Sequence, residues 1–167
     1  LREIPWSIMG NEDNGNDDED VGDNGGSRFR RLKSAFQNPL TEVHVAFYTA
    51  ALPLFTHYNL FLQRSDPLAH KVHPMTSELS RKIGMRFLQP SVLQNLTKEN
   101  LSDESLYLPL EDVHIGLTSK SKLTQLLREG DITKQQYTRV PQACQAFYKA
   151  SLRYVLEKMD SKNEFWT

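Results

Sequence analysis

From Val43 to Gln63 the chain runs 21 residues without a formally charged side chain, and this run constrains the fold more than any other feature. Its length would cross a bilayer, for which about 20 apolar residues suffice. Yet His44, Thr49, Pro53, Thr56, His57, Asn59 and Gln63 are spread around the helix it would form, and each polar group is costly in lipid without a partner. A helix apolar on nearly all sides is also what the centre of a globular core looks like. The run therefore reads as a buried core helix, with Phe55 among its packing residues, and not as a membrane span.

The sequence around it reads as helices in series. Ser27 is a candidate N-cap for "RFRRLKSAF", which places Phe29, Leu32 and Phe36 on one face and Arg28, Arg30, Arg31 and Lys33 on the rest. "NPL" breaks that helix, and Thr41 is expected to cap the next. Ser65 or Asp66 then caps a helix with Pro67 in its first turn, where Leu68, Val72, Met75, Leu79, Ile83 and Phe87 recur at helical spacing until Pro90. Pro53 and Pro74 sit inside these two helices, so both are expected to be kinked and packed antiparallel.

Residues 91–117 lack a period and read as loop with apolar anchors in "LYLPL" and "VHIGL". Leu123, Leu126 and Leu127 mark a short helix that stops at Gly130. Thr133 and Gln136 form a capping box, and Pro141 is expected to restart the chain as a last helix with Cys144, Phe147, Tyr148, Leu152, Val155, Leu156 and Met159 on its apolar face. No run of alternating strands occurs, so the body is expected to be all-α.

Charge divides the chain. Its overall −1 includes Glu12, Asp13, Asp17, Asp18, Glu19, Asp20 and Asp23, and without those seven the remainder carries +6. The stretch "GNEDNGNDDEDVGDNGG" has one apolar side chain, Val21, too little to offset the entropy of ordering. No register of it supplies the ligands, glycine and glutamate of an EF-hand loop. Residues 1–27 are thus expected to be a disordered acidic linker and 28–167 a mildly basic helical module. The basic helix carries a candidate nucleic-acid contact at Arg28, Arg30, Arg31 and Lys33, set against the plain alternative of a solvated face.

Chemically pointed residues are few. The lone Cys144 allows no intrachain disulfide and fits a reducing compartment. His57, His70 and His73 lie near one turn, but zinc wants four ligands, or three plus water. Asp66 is the one local carboxylate before Glu78, so these histidines read as capping or half-exposed groups. There is no nucleophile elbow and no glycine-rich phosphate loop between a strand and a helix. Catalytic residues, metal ligands and cofactors are all expected to be none. The start at Leu1 and the stop at "NEFWT" suggest a piece of a longer protein.

Taken in order, "RFxRLxxAF…NPLTEVHVAFYTAALPLFTHYNLFLQRSDPLAHKVHP…FLQP", "LYLPLEDVHIG" and "QACQAFYKASLRYVLEKM" carry a resemblance across roughly residues 28–160. They resemble the helical insertion that interrupts the RNase H-like domain of hAT-superfamily transposases and the host proteins derived from them. The sharpest motif is Phe55, Asn59 and Gln63 followed by Pro67, Leu68 and His70. The resemblance implies that His70 belongs to a fold motif and that the parent's chemistry rests on a carboxylate triad outside this region. The triad's motifs and the BED-type zinc finger are missing from this sequence, and the acidic run departs from the family pattern. A non-catalytic module of a nuclear, transposase-derived protein is implied, with the rest of the parent chain, DNA, a protein partner or a second copy as its contacts and no membrane. The alternative is a stand-alone helical interaction domain unrelated to transposition.

Overall fold

The computed structural model describes residues 24–65 and 69–158. The expected linker lies outside the described residues, except that 24–27 form the first turn of a helix. Five α-helices follow in order: α1 (Asn24–Gln37), α2 (Leu40–Leu62), α3 (Ala69–Gly84), α4 (Leu117–Glu129) and α5 (Lys134–Lys158). Three short 3-10 turns, Pro90–Val92, Glu99–Leu101 and Glu104–Leu106, punctuate the segment between α3 and α4. No strand occurs among the described residues beyond a single antiparallel bridge between Leu88 and Tyr107. The protein is all-α.

Helix ends follow local chemistry. α1 starts at Asn24, three positions before the expected cap Ser27. α2 is started by Asn38, whose Oδ1 accepts the Leu40 N–H at 2.9 Å. The expected cap, Thr41, instead donates its hydroxyl back to the Ala35 carbonyl at the end of α1. α4 stops at Gly130, whose φ of 84° is the left-handed conformation that glycine adopts without strain. The capping box of α5 forms as the sequence indicates: Thr133 N–H donates to Gln136 Oε1 at 2.8 Å, and Gln136 N–H to Thr133 Oγ1 at 3.2 Å.

Two helices differ from the sequence reading. Pro141 does not restart the chain but lies buried inside the continuous α5. The capping box has already nucleated the helix, and burial of Val140, Pro141 and Cys144 offsets the lost backbone bond. α3 ends at Gly84 and not near Phe87. There the amides of Phe87 and Leu88 both turn back to the Gly84 carbonyl, at 3.1 and 2.8 Å. Leaving the helix lets two consecutive apolar residues, Phe87 and Leu88, both enter the core. A Cβ on Gly84 would stand 2.9 Å from Leu93 Cδ2, the tip of a flexible side chain that would have to shift to admit it.

The core sits between α2, α3 and α5 and is closed by α4 and the loop. α2 contributes one line, Val43, Phe47 and Ala51, at four-residue spacing. Leu79 and Ile83 come from α3, Leu123 from α4, and Val140, Cys144, Tyr148 and Leu152 from α5. Leu101, Val113 and Ile115 are the loop's anchors. At the centre Phe47 meets Phe147 and Tyr148 edge-on, each 5.5 Å away between ring centres, while Phe87 stacks on Tyr148 at 6.5 Å. Full burial of such a side chain is worth roughly 1.5–3 kcal/mol.

Polar groups inside are paired. Ser119 on α4 donates to the Val43 carbonyl of α2 at 3.1 Å, and Tyr58 on α2 shares a 2.6 Å hydrogen bond with Thr76 on α3. The uncharged run is therefore a core helix along one face, whereas its outer face keeps Val45, Leu52 and Leu60 at least half exposed. No helix among the described residues is long and apolar enough to cross a membrane.

Candidate functional site

The cationic residues of the sequence reading all fall on α1. Every described side chain from Ser27 to Gln37 is exposed, so this helix contributes nothing to the core. The expected packing face is uncovered: Phe29 is 67% exposed, Leu32 51% and Phe36 82%. At about 100° per residue the three make one stripe, with Arg28 on one flank, Lys33 on the other and Arg30 and Arg31 behind. None of the four cations makes an ion pair with a described residue.

The helix is nevertheless fixed at its exit. Asn38 donates its amide to Ala35 and accepts Thr41 N–H at 3.0 Å, and its side chain caps α2. With the Thr41 hydroxyl also on Ala35, the two-residue break between α1 and α2 is pinned by four hydrogen bonds.

The motif residues are divided. Phe55 is half-buried and meets Phe147 edge-on, 6.0 Å away between ring centres. Asn59 and Gln63 are exposed one turn apart, and Gln63 ends α2 by donating its N–H to the Asn59 carbonyl at 3.1 Å. Pro67 and Leu68, with Asp66, lie outside the described residues. His70, His73 and His57 are all exposed. Among the described residues no group of three or more histidine, cysteine, aspartate or glutamate side chains could hold a metal ion.

A pairing that the sequence reading missed joins the turn after α3 to the segment before α4. Arg86 Nη1 lies 2.5 and 2.7 Å from the two ring nitrogens of His114. The His114 backbone is tied on both sides, its N–H to Arg86 O at 2.9 Å and its carbonyl to the Tyr148 hydroxyl at 3.1 Å. Burial, then the neighbouring guanidinium, holds His114 below its ordinary pKa. Burial pushes Tyr148 and the Cys144 thiol each up to about 12, so neither ionises near neutrality. His114 and Arg86 stand 28 positions apart, and no local pattern links them. The group ties the loop to α5 through the Tyr148 hydroxyl, while the His114 side chain stays exposed.

A cleft of about 680 Å³ opens between α3, the Pro90 turn and α5. Leu93, Leu96 and Leu156 line it beside Glu78 and Arg81. Glu78 is held below the usual carboxylate range by its hydrogen bond and ion pair with Lys82 at 2.6 Å. The cleft thus offers an apolar floor and a solvated ion pair, without a nucleophile–base pair. No protein-family model matches the chain, and comparison with curated proteins and with solved structures finds no match.

Proposed function

We propose that this chain is a non-catalytic helical module of a hAT-type, transposase-derived nuclear protein, which packs against the rest of its parent and contacts DNA through α1. The observation that carries this reading is the division of labour in the fold. The core closes without α1, which is left standing clear with four cations and an uncovered apolar stripe. A helix that does not serve its own core is available to serve a contact. The outer face of α2, with Val45, Leu52 and Leu60 exposed, offers a second apolar surface for a neighbouring domain. The motif order from Phe55 to His70 supports the parentage.

The DNA arm is tested by fluorescence anisotropy with random-sequence duplexes across a salt series. Binding without sequence preference is expected, with affinity falling steeply as salt rises. Arg30→Ala/Arg31→Ala should lower the slope of log affinity against log salt by roughly 2. Affinity untouched by that double substitution would falsify the contact. Parentage is tested by extending the transcript in both directions, where aspartate-bearing strands upstream are expected and an unrelated reading frame would end the family reading.

A further inference from the structure

We propose that α1 is a docking helix for a calcium-loaded EF-hand protein, whose apolar, methionine-rich channel with an acidic rim closes around it. This rests on the reading of α1 as a contact element and names a partner for it beyond DNA. Phe29, Leu32 and Phe36 stand at i, i+3 and i+7, the spacing by which an amphipathic helix anchors in a groove. All three are at least half exposed and no described element covers them.

Charge selects among grooves and surfaces. A duplex that meets Arg30 and Arg31 leaves the stripe in water. A bilayer that takes the stripe meets Arg28 and Lys33 at its edges and leaves Arg30 and Arg31 turned toward solvent, without an acidic partner of their own. A channel that encloses the helix meets the stripe with its apolar floor and the cations on both flanks and behind with its acidic walls. The helix suits enclosure, because its side chains are exposed around the whole circumference from Ser27 to Gln37. The pinned break at Asn38 and Thr41 presents it already folded, which lowers the ordering cost of binding. Soft methionine-rich channels of this kind accept basic amphipathic helices of varied sequence.

The test titrates the full chain with calmodulin by calorimetry, in calcium and in chelator, beside duplex DNA and phosphatidylserine vesicles. One-to-one binding in calcium is expected, with Kd below about 1 µM, and its loss in chelator. Phe29→Asp/Phe36→Asp should weaken it roughly 100-fold or more, and Arg30→Glu/Arg31→Glu about 10-fold or more, with thermal melting of the body unchanged in both. No binding in calcium, equal binding in chelator, or indifference to the stripe substitutions overturns the proposal. Stripe-dependent vesicle binding without calmodulin binding overturns it in favour of a lipid surface. DNA binding without calmodulin binding overturns it and leaves the DNA contact standing, whereas calmodulin binding without DNA binding does the reverse.

Discussion

Two glycines have nearly the same φ but not the same ψ, which is 8° at Gly130 and 144° at Gly116, so replacing them carries different costs. Gly130 (φ 84°) has open space where a Cβ would go, so Gly130→Ala meets only the left-handed backbone, about 1–2 kcal/mol. Gly116 (φ 87°) adds a collision, since its Cβ would lie 2.8 Å from Ala50 Cβ on α2. Gly116→Ala is expected to cost about 3 kcal/mol or more in urea denaturation, from a backbone region that alanine rarely adopts together with the collision; a loss no larger than that of Gly130→Ala would show that neither the backbone nor α2 resists the change. His114 sets a different expectation, in pH. Its native pKa is lowered from 6.5 by burial and by Arg86, and burial lowers His44 in the same direction. The native state then holds fewer protons than the unfolded chain. The stability these residues contribute is complete above their unfolded value and is lost as pH falls through the lower native values. The urea midpoint should fall between about pH 7 and about pH 5, and His114→Gln should flatten part of that slope. An identical pH profile in the variant would remove His114 as a cause.

Among the elements, α1 and α2 make opposite demands on the same residue type. Phe47→Ala on α2 removes a ring that is 2% exposed and should cost about 3–5 kcal/mol. Phe29→Asp/Phe36→Asp on α1 should change stability by no more than about 0.5 kcal/mol per site, because neither ring touches the core. Calorimetric melting of both variants checks the contrast, and a collapse of the α1 variant would mean that α1 is part of the folded unit. The five helices were readable from the spacing of apolar residues and from turn chemistry such as Gly130 and the Thr133–Gln136 box. The face of α1 was readable as amphipathic, but not as uncovered, because periodicity reports which side is apolar and says nothing of whether another element arrives. Likewise the end of α3 at Gly84 goes with Phe87 and Leu88 both entering the core, which depends on elements outside the helix. The Arg86–His114 pair escaped for the same reason. Phe55 reads from sequence as a packing residue of a buried helix and is half-buried, which makes it a weaker probe than Phe47.

At the scale of the whole molecule, the centre is assembled from distant parts of the chain. The ring cluster joins Phe47 of α2, Phe87 after α3, Tyr107 of the loop and Tyr148 of α5. Tyr148 is fully buried and Leu152 beside it is as well, so the last helix supplies the middle of the core. A chain ending at Ile132 should therefore lack cooperative melting and bind a hydrophobic dye; a sharp melt would show that α2 to α4 suffice. On the ribosome this arrangement imposes a wait. Between the emergence of Gly84 and that of Lys158, synthesis at about 5–20 residues per second leaves the uncharged run of α2 without its final cover for roughly 4–15 s. The nascent chain is then a natural client for a holdase, and slow codons between α4 and α5 would lower its yield more than slow codons anywhere after α5.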